Sequence, residues 1–196
     1  MKAKNLSRIA LAVALAVPAI AAAESQWVVG PGNASARLDF QITIPRILYF
    51  QIGAGAFGTN NGVVTSMTAT VPAANLGDGT PVSFAPALVP VRVAGNNGQI
   101  TIAASTVGAL GNGAGDTISF ATITPNSTDN ANLPSPPLAD GPGAPVNVTI
   151  SSGTKVTDRS ANWSFAYSNA AVVPPGTYGG IGGAQNSTVT YTAAMP

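Results

Sequence analysis

The chain has 196 residues, of which 8% are charged and 45% hydrophobic, and its formal net charge is +1. It contains no His and no Cys, which removes the commonest general base and metal ligand, the usual pH switch, and all thiol and disulfide chemistry. Without Lys2, Lys4 and Arg8, the cations Arg37, Arg46, Arg92, Lys155 and Arg159 face seven acids, a net charge of −2 that is unlike a nucleic-acid-binding surface.

Those three N-terminal cations precede the apolar run "IALAVALAVPAIAAA". The run is short for a bilayer span and ends in Ala21-Ala22-Ala23, so the pattern predicts a Sec-type signal peptide over 1–23 and a secreted product starting at Glu24. No Cys follows the run, which excludes a lipoprotein anchor. About 173 residues remain, the size of one domain with a sizeable core. A polar, Gly-containing stretch over 24–36 reads as an N-terminal extension, and 37–196 as a single domain.

Thr, Val, Asn, Gly, Pro and Ser dominate this part of the chain, so it reads as all-β. Candidate strands fall at 37–44, 47–52, 63–71, 81–85, 88–94, 99–105, 117–123, 146–151, 162–168 and 187–194. Short strands with frequent turn signals point to an antiparallel β-sandwich. In the first of them Leu38, Phe40, Ile42 and Ile44 alternate with Arg37, Asp39, Gln41 and Thr43, the period-2 pattern of a strand with one dry face. Pro45 interrupts it, and a denser apolar run follows from Ile47. Val89, Val91 and Val93 answer Ile100 and Ile102 across Gly95-Asn96-Asn97-Gly98, which predicts a hairpin. The Pro-rich segment 125–145 reads as a long surface loop. In the final strand Val189, Tyr191, Ala193 and Met195 share one phase.

Catalytic constellations are weak. Ser152 and Lys155 have Ser-x-x-Lys spacing, but among Gly, Thr and Ser after the strand "VNVTI" they read as a turn with a solvated lysine. The acids are scattered through Gly-rich turns, without the pairing that glycoside chemistry needs. Asp78 in "LGDGT" and Asp116 in "GAGDT" could join calcium sites, yet no D-x-D-x-D-G spacing occurs, and turn formation is the simpler role. Asn33, Asn126, Asn147, Asn162 and Asn186 begin N-x-S/T sequons, expected by chance in a Ser/Thr-rich chain. Trp163, Phe165 and Tyr167 alternate on one strand, as core or as a sugar-stacking platform. The chain is therefore read as a non-enzyme with no cofactor and no metal.

Interaction chemistry remains, carried by the two ends. The early "LDFQITIPRILYFQIG", the late turn Gly176-Thr177-Tyr178 in "PPGTYGG" and the closing "STVTYTAAMP" resemble secreted fimbrial subunits of the spore-coat-U-like and alpha-type chaperone-usher pilins. That resemblance implies an immunoglobulin-like sandwich completed by strand exchange between subunits, a homopolymeric surface filament, a periplasmic chaperone and an outer-membrane usher. The exchanged piece would be the Leu38, Phe40, Ile42, Ile44 row or "QWVVG" at 26–30. The alternative is a secreted monomeric β-sandwich that binds a glycan or other surface component through the Trp163 strand or the 125–145 segment.

Overall fold

The computed structural model describes residues 24–196, and the predicted signal peptide at 1–23 lies outside them. The chain divides into two units, one ending at Ile44 and one running from Pro45 to Pro196.

In the first unit, residues 24–44 carry a bend at 30–32 and neither helix nor strand. The strand expected at 37–44 does not form, because no neighbouring strand supplies its backbone with ladder hydrogen bonds. Glu24 and Arg37 close a loop within this unit, with Arg37 donating at 2.8 and 3.0 Å to the two carboxylate oxygens. This hydrogen bonding holds the Glu24 carboxyl below its ordinary range and raises the Arg37 guanidinium. Both groups are solvated, so the pair organises the loop more than it stabilises it.

The second unit is all-β and mostly antiparallel. One sheet contains β1 (Leu48–Ile52), β2 (Val82–Ser83), β3 (Val89–Gly95), β7 (Ile123–Ser127) and the long β9 (Thr157–Tyr167). A second contains β4 (Ile100–Ser105), β8 (Val146–Val148) and β10 (Thr190–Ala194), while β5 (Leu110–Gly111) and β6 (Thr117–Ile118) form a small ribbon. β9 organises the larger sheet. Its first half pairs with β3, which pairs in turn with β1. Both β3 and β7 pair at Trp163, so they occupy opposite sides of β9, and β2 continues the β3 side at Ala166 and Tyr167.

The core explains why these segments extend. Val91, Val93 and Trp163 from the larger sheet meet Ile100, Ile102 and Val148 from the other, with Leu133 between them, in one buried cluster. Alternation puts the valines of β3 inside while Pro90 and Arg92 face outward, and β-branched residues tolerate that extended geometry well. Each such side chain contributes about 1.5–3 kcal/mol on burial.

Several expectations need correction. Val89–Ile102 is not a hairpin: β3 pairs with β1 and β9, and β4 with β10 and β8. The turn Gly95–Gly98 instead carries the chain from one sheet to the other, so both apolar rows can face one core, which a flat hairpin would not achieve. Gly95 suits this crossing because a Cβ there would stand 2.9 Å from both Ile100 Cδ1 and Met195 Sδ. Gly98 has φ +114°, a conformation that favours glycine.

The segment 125–145 is not a surface loop. It begins inside β7, and Leu133, Pro136 and Leu138 are buried. Ser127 Oγ donates to the Leu133 carbonyl at 2.7 Å, Thr149 N–H to the Asn132 carbonyl, and Gly143 N–H to the Ala104 carbonyl. Proline density concealed two leucines that plug the core.

Residues 63–71 form no strand: Thr68 makes an isolated bridge with Ala85, and Val63 and Val64 are exposed. The expected 117–123 strand is broken by a 3-10 turn over Phe120–Thr122, where Ser119 Oγ accepts from Ala121 N–H. The strand expected at 162–168 starts earlier, at Thr157.

Candidate assembly site

Leu38, Phe40, Ile42 and Ile44 are 76%, 84%, 84% and 76% exposed. Four large apolar side chains at alternating positions of an unpaired segment make an uncommon concentration of exposed apolar surface. Trp27 and Val29 of the other candidate segment are exposed as well, but that stretch holds fewer large residues and ends at the bend beginning with Gly30.

Within the Pro45–Pro196 unit, β10 and β8 are the two outer strands of one sheet, and β1 is an outer strand of the other, as are β2 and β7 beyond β9. A free edge exposes backbone N–H and C=O groups that an added strand can satisfy. On β10 the exposed residues Thr190, Thr192 and Ala194 alternate with half-buried Tyr191 and Ala193. Val189 and Met195 extend that half-buried row at either end. Tyr191, Ala193 and Met195 pack on the central core cluster, and so do Phe50 and Ile52 of β1. Val189 and Tyr191 also reach a second cluster built on Ala104, Phe120, Ile123 and Leu138. The margins of both sheets therefore carry apolar side chains that are only partly covered. Burial pushes the Tyr191 phenol well above its ordinary range, and its ring lies 5.4 Å from that of Trp163.

One turn anchors the ends of both strands. The Asn96 carboxamide donates to the Pro45 carbonyl at 2.8 Å and accepts from Ile47 N–H at 2.9 Å. The next residue, Asn97, donates through Nδ2 to the Pro196 carbonyl at 2.6 Å. Arg46 adds a bond to the Met195 carbonyl at 3.3 Å. The start of β1 and the end of β10 thus lie at the same pole. Local sequence does not reveal this, because Asn96 and Asn97 read only as turn formers.

No protein-family model, curated protein or solved structure matches this chain.

The remaining sequence candidates occupy structural positions. Trp163 is fully buried and donates through Nε1 to the Leu133 carbonyl at 3.3 Å, Tyr167 is buried, and Phe165 is half-buried. The stripe is core. Ser152 and Lys155 lie in a tight exposed turn closed by reciprocal bonds between Ser152 and Val156, without the helical geometry that Ser-x-x-Lys chemistry uses. Asp78 accepts from Asn75 Nδ2 and from Thr80 N–H, bonds that depress its carboxyl pKa. Asp116 accepts from Asn112 Nδ2. The described residues contain no group of three His, Cys, Asp or Glu side chains placed to hold a metal.

Proposed function

We propose that the protein is the structural subunit of an extracellular surface filament, a fimbria or pilus, exported through a Sec signal peptide and assembled by strand donation. The Leu38, Phe40, Ile42, Ile44 row of one subunit lies along the free edge of β10 in the next. It covers the partly exposed Tyr191, Ala193 and Met195 on one side and Phe50 and Ile52 on the other, closing an incomplete sandwich. The observation that carries this reading is complementarity within one chain: an exposed alternating apolar row and a free sheet edge with an alternating, half-covered apolar row. Four buried side chains offer about 6–12 kcal/mol before ordering costs. Capping of the open edge before assembly is the role expected of a periplasmic chaperone, and an outer-membrane usher would order the export of subunits.

The common pole of Pro45 and Pro196 favours one direction of insertion. An incoming strand antiparallel to β10 puts the donor's own Pro45 near Val189 of the acceptor, opposite the pole where the acceptor's extension leaves. Each addition then leaves a fresh extension at the other end, the condition for an open head-to-tail fibre. Parallel insertion would bring both exits to one pole and favour a closed, reciprocally exchanged pair.

Deletion of Glu24–Ile44 tests the reading. The shortened chain is expected to remain folded by circular dichroism, to stay monomeric in size-exclusion chromatography, and to regain a bound strand when a peptide spanning residues 35–46 is supplied. Unfolding of the shortened chain that the peptide does not reverse, or polymers that persist without the segment, would overturn it.

A further inference from the structure

The outer face of the larger sheet carries a second feature, independent of assembly. Gln51, Arg92 and Ser160 stand in register across β1, β3 and β9, and Asn162 lies beside Pro90 two pairs along, on the same face. The chain after β1 folds back over them. Tyr49 Oη donates to the Ala56 carbonyl at 3.1 Å, and Gln51 Nε2 donates to the Gly53 and Gly55 carbonyls. This brackets Phe57, whose ring meets Tyr49 edge-on at 4.8 Å and has the Arg92 guanidinium 4.2 Å from its centre. Phe57 is nevertheless 50% exposed. Between this bracket and β9 lies an open cleft of about 400 Å³, bordered by Gly55, Phe57, Pro90, Arg92, Ser160 and Asn162.

We propose that this cleft binds one neutral pyranose ring of a glycan. Its volume lies within the range of small-ligand sites. Phe57 and Pro90 supply apolar surface to the cleft on which the C–H face of a sugar can rest, and an aromatic ring flanked by Tyr49 and Arg92 loses little freedom on binding. The neighbouring lining on β9 is polar and uncommitted. Among the described residues the Asn162 carboxamide and the Ser160 hydroxyl have no side-chain hydrogen-bond partner, so each can both donate and accept, as sugar hydroxyls require. Arg92 uses Nε and one terminal nitrogen on Asp158, at 3.1 Å each, leaving its other terminal nitrogen as a donor. Asp158 balances the guanidinium charge, which disfavours an anionic ligand and suits a neutral one.

Saturation-transfer difference NMR on the protein purified from the producing cells tests this in monomer or filament. One arm uses methyl glycosides of glucose, galactose, mannose and N-acetylglucosamine, and the other uses polysaccharide stripped from the same cells. Transfer to ring protons of at least one methyl glycoside, with Kd on the order of 1 mM, or to the cell's own polysaccharide is expected. The first result without the second places the ligand beyond the producing cell, and the reverse places it on that cell's surface. Phe57→Ala and Asn162→Ala should each weaken binding about tenfold with an unchanged circular dichroism spectrum. Absence of transfer in both arms, or transfer indifferent to both substitutions, overturns the proposal.

Discussion

The Asn96 carboxamide grips Pro45 from one side of the sheet crossing, donating to its carbonyl at 2.8 Å while its own oxygen takes the N–H of Ile47. The residue immediately after β3 thereby sets the point at which the chain enters the folded unit. Asn96→Ala removes both bonds and leaves the Ile47 N–H to water. A loss of about 1–2 kcal/mol in urea unfolding is expected, with an unchanged m-value because the same surface is exposed on unfolding. A loss below about 0.3 kcal/mol would show that the bonds exchange freely with solvent.

Strand donation requires each subunit to have two separable competences. Phe40→Asp should destroy the donor row, since a carboxylate in a dry pocket is expensive, and Ala193→Arg should block the acceptor edge. Each variant alone should stay monomeric. An equimolar mixture should yield heterodimers and nothing longer, because only one intact strand and one intact groove remain to meet. Long polymers in the mixture, read by native mass spectrometry, would exclude this arrangement.

Leu133 is fully buried against Trp163, and its carbonyl receives both the Ser127 hydroxyl and the Trp163 indole N–H. Leu133→Ala should cost about 2–5 kcal/mol, whereas Ala131→Ser, at an exposed site two residues earlier, should stay within about 0.5 kcal/mol. Equal effects from the two substitutions would return the Pro-rich segment to the status of a surface loop.

Tyr191 is held neutral by burial, which raises its folded-state pKa above the ordinary tyrosine value of 10.0. A raised pKa contributes stability that is complete below the unfolded value and is lost as pH rises from it toward the folded value. The folded unit should therefore weaken above pH 10 by up to about 1.4 kcal/mol per pH unit from this residue, and Tyr191→Phe should flatten that slope in alkaline urea titrations. An identical slope in the variant would assign the alkaline loss to other groups.

Asn169, fully buried with φ +48°, ties the 75–80 loop to the end of β9. Its oxygen accepts from Gly77 N–H at 3.0 Å, and its Nδ2 donates to the Asn75 carbonyl at 2.7 Å. Asn169→Ala removes these bonds, leaves buried groups unsatisfied and keeps an unfavourable backbone for a residue with a Cβ. A loss of about 2–4 kcal/mol is expected, with faster amide exchange confined to 75–80 if the loop opens locally. Exchange that stays protected there would contradict the anchoring role.

Periodicity and composition were enough for the all-β class and for the extents of β1, β3 and β4, because β-branched alternation is a local property of the backbone and its solvent. The alternating row Val189 to Met195 was legible for the same reason, whereas the alternation of Leu38 to Ile44 did not produce a strand. Local pattern could not distinguish pairing within a sheet from packing between sheets. Val89, Val91 and Val93 against Ile100 and Ile102 look the same in either case, and only tertiary structure decided that the Gly95–Gly98 turn crosses the core. It also decided that Leu133 and Leu138 lie inside despite their prolines, that Trp163 is core, and that Asn96 and Asn97 bring Pro45 and Pro196 to one pole. Each depends on contacts between residues distant in sequence, where burial and hydrogen-bond satisfaction outweigh the preferences of neighbouring residues.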